Sequence, residues 1–249
     1  MQSVFPFDSF TQKILDNPKI NLLWGDVGIG KTTLTIQLSR SALKQQQKVF
    51  FLSTKQSPNK LLFSRLFNDL PEDLSANFLH WSVNTFNQQF NMVLQWPLQI
   101  QQLNKVFQKQ KVALIVIDEI ATLYLLEMGT ETKNAKLNED FTLLLATLAQ
   151  ITQKYAIPIV LLNGFSLKQE GKEENEKDNS DSFNAIPYGG KILSYWTASN
   201  DTTAGLEIQI SRTSQVSRMQ FIASPSNQKS DLFSIPKKWT WLLGSMGFQ

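Results

Sequence analysis

Ile20–Thr33 reads INLLWGDVGIGKTT, and this stretch decides the fold. Within it Gly25 to Thr32, GDVGIGKT, satisfies the pattern G-x-x-x-x-G-K-[ST]. It follows a mainly apolar run, Ile20 to Trp24, and precedes a segment of helical period, the context a phosphate-binding loop requires. Glycines let the backbone wrap an anion without Cβ clashes, so that successive N–H groups and the next helix N-terminus point at it. The expected nucleotide contacts are Gly25, Asp26, Val27, Gly28, Ile29, Gly30, Lys31, Thr32 and Thr33, with Asp26 turned to solvent. Lys31 is expected on the terminal phosphates, Thr32 on Mg²⁺ through its hydroxyl, and Thr33 at the start of the helix behind the α-phosphate.

Outward from the loop, Val49 to Ser53, Phe78 to Val83, Val112 to Ile117 and Ile157 to Leu162 join Ile20 to Trp24 as expected buried strands. They lack the alternation of a half-exposed sheet. Lys31 to Gln45, Asn59 to Asp69, Phe86 to Gln110 and Asn138 to Lys154 carry apolar residues three and four apart and are expected helices, with Pro97 breaking or kinking the third. Strand and helix in alternation give a mostly parallel sheet flanked by helices, an α/β fold. Beyond about Lys191 the runs KILSYW, LEIQISR, RMQFIAS and DLFSI, separated by turn residues, predict antiparallel strands.

Val112 to Glu119, VALIVIDE, supplies the second half of the site. Carboxylates at the carboxyl end of a parallel strand lie where such sheets bind ligands, so Asp118 is the expected Mg²⁺ partner of Thr32. Glu119 is a candidate to orient or deprotonate a water, against a plain reading as a strand-end residue, and both stay open. Lys31 and Glu119 are thus the candidate catalytic residues.

Composition bounds the rest. At 249 residues and 42% hydrophobic content the chain can build one full core, which excludes wholesale disorder. Cysteine is absent, which removes disulfides and thiolate chemistry, and a single histidine leaves no histidine-rich metal site. No run reaches the ~20 apolar residues of a membrane span, and the N-terminus has no signal-peptide pattern. The expected location is the cytoplasm, or the nucleus in a eukaryote, without secretion or membrane association.

A net charge of +3 is too mild to point to nucleic acid. Lys168 to Asp181, KQEGKEENEKDNSD, holds six acids and three lysines and no apolar residue, and is expected to be a mobile loop. His80 reads as a packed core or edge histidine. Trp239 and Trp241 in KKWTW read as core packing at period two, with an exposed contact surface as the rival. Arg212 and Arg218 read as surface residues, with a role as arginine fingers to a neighbouring subunit as the sharper alternative.

The order of P-loop, KVFFLSTKQSPNKLLFSRL, ALIVIDEIATLYLLE, AIPIVLLNG, acidic loop and PYGGKILSYW resembles the RecA-type recombinase family, nearest its archaeal RadB and recombinase-paralog branch, from Phe7 to about Ile235. The resemblance implies one RecA-like ATPase core across 1–249, no N-terminal helix-hairpin-helix domain, and ATP with Mg²⁺. It implies a first DNA-facing loop at Gly129 to Ala135, a second at Phe165 to Pro187, and a matching glycine pair at Gly189 and Gly190. It also implies a recombinase or paralog as partner, at most weak binding of single-stranded DNA, and an oligomer as an option.

Two departures bear on chemistry. Where the family carries a water-activating glutamate after the second strand, this chain has Thr54, Lys55 and Gln56; where it carries a phosphate-sensing glutamine, this chain has Gly164. An acidic second loop also repels a phosphate backbone. The leading expectation is therefore an accessory protein of recombination with weak hydrolysis, the nucleotide acting as a conformational ligand. Two rivals stay open: a DNA-dependent ATPase with Glu119 as base, and a nucleotide-gated assembly module outside DNA metabolism, similar to the KaiC-like and Elongator-subunit folds.

Overall fold

The computed structural model describes residues 6–54, 63–64, 67–106, 111–167, 185–187, 204–212, 218–225, 238–244 and 247–248. The helices are α1 (Phe7–Leu15), α2 (Lys31–Lys44), α3 (Phe86–Val106), α4 (Thr122–Glu127) and α5 (Glu131–Tyr155), with one helical turn at Glu72–Ser75. The strands are β1 (Ile20–Gly25), β2 (Lys48–Ser53), β3 (Phe78–Ser82), β4 (Val112–Asp118), β5 (Ile159–Asn163), β6 (Phe165–Leu167), β7 (Ala185–Pro187), β8 (Ala204–Arg212), β9 (Arg218–Pro225), β10 (Lys238–Gly244) and β11 (Gly247–Phe248).

Among the described residues nine strands form one sheet in the order β11-β10-β9-β8-β1-β5-β4-β2-β3. From β3 to β8 every pairing is parallel, and β9, β10 and β11 extend the sheet antiparallel. LEIQISR thus differs from the sequence expectation on one side, since β8 runs parallel to β1 and antiparallel only to β9. The runs KILSYW and DLFSI, the pair Gly189 and Gly190, and residues 59–62 and 65–66 of the expected helix Asn59 to Asp69 lie outside the described residues.

The continuous apolar runs have a direct cause in the two-sided core. Phe50, Leu52, Ile115, Ile117, Ile159 and Leu161 face one cluster with Val93, Trp96 and Phe141 of α3 and α5. Their neighbours Val49, Phe51, Leu114, Val116, Val160 and Leu162 face the other, with Phe10 and Ile14 of α1 and Leu34 and Leu38 of α2. Helices cover both faces, so these strands are almost wholly apolar, and the buried Asn21 of β1 is accommodated by its Nδ2 donating to the carbonyls of Lys19 at 3.1 Å and Ile159 at 3.4 Å. β3 is the exception among the expected buried strands: it sits at the sheet edge and is only partly buried.

Pro97 does not end α3, which continues to Val106. The helix gains more by burying Val93, Trp96 and Ile100 on one face than it loses in the single backbone bond that proline removes. Its start is fixed by Gln88 N–H donating to Thr85 Oγ1 at 3.2 Å, Asn84 N–H donating to Gln88 Oε1 at 2.9 Å, and Phe86 N–H donating to Glu127 Oε1 at 2.7 Å.

α1 has no counterpart in the sequence expectations. Its Phe7 and Phe10 meet Trp241 of β10 edge-on at 5.4 and 5.2 Å, so the first helix covers the antiparallel end of the sheet. Trp241 is therefore core, as period two predicts, at 4% exposure. Gly129 to Ala135 is likewise not a loop throughout, because α5 begins at Glu131. Asn134 ties its entry, its Oδ1 accepting from Gly129 N–H at 2.7 Å and its Nδ2 donating to Gly129 O at 3.0 Å. At the other expected DNA-facing segment, β6 and β7 pair antiparallel as a two-stranded stem, Phe165 opposite Pro187, and residues 168–184 lie outside the described set. Among the described residues no helix is long and apolar enough to cross a membrane.

His80 on β3 lies among aromatic rings, 5.8 Å from Phe51, 5.4 Å from Phe63 and 6.2 Å from Phe78. Desolvation by burial holds its imidazole below the ordinary value, so the folded chain keeps it neutral where the unfolded chain protonates. Its contribution to stability is intact above the unfolded pKa of ~6.5 and is lost as pH falls from there toward the lower folded value. Urea unfolding at pH 7.5 and pH 5.5 is expected to show a smaller loss on acidification in His80→Phe than in the parent. Equal losses in the two proteins would remove His80 from the account.

Candidate functional site

The carboxyl ends of β1, β4 and β2 converge on one rim, as the parallel sheet demands, and the loops leaving them carry the candidate residues. Gly25 closes β1 with φ of +149°, Gly28 has φ of +77°, and Gly30 occupies the N-cap of α2 at φ +95°. These are conformations that β-carbon-bearing residues rarely adopt. A Cβ on Gly25 would stand 2.2 Å from the Ile210 carbonyl oxygen and 2.5 Å from Ile29 Cδ1, so the loop's first residue is sealed against β8. Asp26 and Gly28 are exposed, Val27 is 86% exposed, and Ile29 at 2% anchors the loop in the core under α2.

Lys31 is 5% exposed and its Nζ donates to the carbonyls of Gly25 and Asp26, each at 2.8 Å. The side chain thus folds back over the arch of the loop. Thr32 and Thr33 are half-buried in the first turn of α2. Thr32 Oγ1 donates to Asp118 Oδ2 at 2.7 Å, a contact across 86 residues of sequence that joins the two motifs. Asp118 and Glu119 are 3% and 8% exposed. Burying carboxylates so far from water is costly unless hydrogen bonds or a cation offset it.

Glu119 Oε2 accepts from Thr122 Oγ1 at 2.7 Å, which turns its carboxylate toward the start of α4. The backbone around it is held from three sides. Thr54 N–H donates to Asp118 O at 2.6 Å, Ile120 N–H donates to Leu162 O at 2.9 Å, and Gln89 Nε2 donates to Ile120 O at 3.0 Å. Glu119 N–H donates to the Thr54 hydroxyl at 2.9 Å. Gln89 and Thr122 belong to no motif, and only their proximity in space to the Asp118–Glu119 turn reveals them; Thr54 is marked in the sequence only as the residue standing where the related family has an acid. At the end of β5, Asn163 is fully buried and accepts from Gly164 N–H through Oδ1 at 3.1 Å. Lys55, Gln56 and the side chains of Arg212, Arg218 and Trp239 lie outside the described set.

The donor set fits a nucleoside triphosphate and a hard divalent cation. A glycine arch at a helix N-terminus, with an ammonium folded over it, offers N–H donors to an anion. A hydroxyl and a carboxylate oxygen 2.7 Å apart are the hard donors Mg²⁺ takes when phosphates complete its shell.

A family model described as an AAA domain matches residues 14–164. The chain is 26% identical over 186 residues to the DNA repair and recombination protein RadB of Methanococcus maripaludis, covering 74% of this chain and 76% of that protein. It is 28% identical over 156 residues to the RadB of Archaeoglobus fulgidus, covering 63% and 66% respectively. With the RadB of Methanosphaera stadtmanae it shares 23% identity over 199 residues, 78% of each.

Proposed function

The chain belongs to the AAA domain family and is RadB-like, and from this premise we propose that it is an ATP-binding accessory protein of homologous recombination and DNA repair. The hydrogen bond from Thr32 Oγ1 to Asp118 Oδ2 carries the reading, because it brings the P-loop hydroxyl and the strand-end carboxylate to one point. The backbone of Gly25, Asp26, Val27, Gly28, Ile29 and Gly30 cradles the phosphates with the N-terminus of α2, including Thr33. Lys31 neutralises the terminal phosphates, and Thr32 with Asp118 holds Mg²⁺. The bound ion supplies charge neutralisation to the phosphates, and the protein residues supply orientation.

The nucleotide acts mainly as a conformational ligand, with weak hydrolysis. Thr54 follows β2 where the related recombinases carry an acid, and Gly164 follows Asn163 with no side chain to sense a terminal phosphate. A recombinase or paralog is the proposed partner, a reading supported by relatives named DNA repair and recombination proteins, with at most weak binding of single-stranded DNA and an oligomer as an option. The second reading, an ATPase with Glu119 as base, is favoured by the burial of that carboxylate beside Asp118.

Steady-state phosphate release with Mg-ATP, with and without single-stranded DNA, separates the two. Tight nucleotide binding with turnover below ~1 per minute, unchanged by DNA, supports the switch. Faster, DNA-stimulated turnover abolished by Glu119→Gln, with nucleotide affinity kept, would replace it by the ATPase reading. Asp118→Asn is expected to weaken Mg²⁺-dependent nucleotide binding about 10-fold or more while sparing the fold, checked by titrating Mg²⁺ at fixed nucleotide.

A further inference from the structure

Asp118 and Glu119 sit on a short turn whose backbone must be fixed if their carboxylates are to stay on target, and β4 alone ends at Asp118. One side chain from a different strand spans that turn. Thr54, immediately after β2, is 6% exposed, and its hydroxyl oxygen accepts from Glu119 N–H at 2.9 Å while lying 3.2 Å from both the Asp118 and the Glu119 carbonyl oxygens. A hydroxyl has one proton to donate and lone pairs to accept with, so it serves the N–H and shares its proton between the two carbonyls. Its own backbone N–H donates to Asp118 O at 2.6 Å.

We infer that Thr54 is a positioning residue for the Mg²⁺ site: its hydroxyl clamps the Asp118–Glu119 backbone and so aims the Asp118 carboxylate at Thr32. This rests on the nucleotide-binding reading above. The hydroxyl is buried and its hydrogen bonds go to the Asp118–Glu119 backbone, so it acts through Asp118 and not on the nucleotide. Valine at this position keeps the shape and removes both the acceptor and the proton, leaving the Glu119 N–H with no oxygen at that point. Serine keeps the hydroxyl and loses only a methyl group.

The test uses the whole chain and compares the parent, Thr54→Val and Thr54→Ser. Fluorescent ATP is titrated in EDTA and at a series of Mg²⁺ concentrations, and amide exchange of the peptide covering Asp118 to Ile120 is followed without nucleotide or metal. Expected for Thr54→Val are faster exchange at that peptide and a rise of about 10-fold in the Mg²⁺ needed for half-maximal binding, the size of effect seen when a residue that orients a metal ligand is lost. Affinity in EDTA is expected to stay unchanged, and Thr54→Ser to match the parent. Equal weakening with and without Mg²⁺, unchanged exchange, or a serine variant as impaired as valine would overturn the clamp. A parent chain that binds no nucleotide in any condition would overturn the functional reading, and a parent that binds with a valine variant of identical Mg²⁺ response would overturn the role of Thr54 alone.

Discussion

Replacing Lys31 with alanine is expected to lower nucleotide affinity by about 10- to 100-fold. A hydrogen bond to a charged group contributes roughly 1.5–3 kcal/mol, and each 1.4 kcal/mol is a factor of about ten in binding. The ammonium is already gathered over the loop, 2.8 Å from two of its carbonyls, so it needs little reorganisation to meet a phosphate. The same burial says what happens without nucleotide. Alanine removes a desolvated cation along with its hydrogen bonds to the loop carbonyls, effects of opposite sign, so the melting temperature of the free variant stays within a few degrees of the parent. Ligand at about 100 times Kd stabilises a folded protein by ~2.7 kcal/mol, which for a chain of this size is a rise of roughly 5–10 °C. At the same Mg-ATP concentration Lys31→Ala, then at about 1 to 10 times its own Kd, should keep only ~0.4–1.4 kcal/mol of that stabilisation, a rise of roughly 1–5 °C. A variant that keeps the full rise would exclude Lys31 from the phosphate site.

Gly25→Ala is expected to be the most damaging single methyl group in the chain's P-loop. The new Cβ falls 2.2 Å from the backbone oxygen of Ile210 and 2.5 Å from Ile29 Cδ1, at a φ of +149° that side chains rarely adopt. The nearest obstacle is backbone of β8, and it cannot swing aside as a side-chain tip could. β8 is also the strand through which β9 and β10 join the parallel sheet. Overpacking of this kind costs about 1–3 kcal/mol where neighbours can yield, and strained backbone adds a similar amount, so a loss of about 3 kcal/mol or more is expected. Gly129→Ala is the matched control, since a Cβ there meets nothing nearer than Lys133 Cδ at 3.6 Å. Denaturant unfolding should show a large drop for the first variant and a change within ~0.5 kcal/mol for the second. Similar stabilities in both would contradict the sealing of Gly25 against β8.

Much of this site was readable because its parts are local. GDVGIGKT carries its own strand, turn and helix start in a few residues, and the backbone demands of an anion cradle write glycine into fixed positions. Strands buried on both faces are equally plain, since their runs are almost wholly apolar, with Asn21 of β1 as a buried exception. Edges are harder: β3 has the apolar content of an inner strand and is only partly covered, because sheet order is a property of pairing and not of composition. Gly129 to Ala135 misleads for a related reason. Its polar residues suit a loop, yet from Glu131 onward they belong to α5, whose later turns bury Leu137, Phe141 and Leu144 and extend the helix backward into them.

The amino-acid sequence by itself determined the class of fold, the phosphate loop and the carboxylate strand, because each is encoded in hydrophobic period or in the backbone freedom of neighbouring residues. Only the tertiary structure decided that Thr32 and Asp118 share a hydrogen bond, that α1 seals Trp241, that Gly25 is closed by Ile210, and that Thr54 grips the turn beyond Asp118. Each of those contacts joins residues brought together by the order of strands in the sheet. That order is set by the sum of long-range packing, and no short window of sequence contains it.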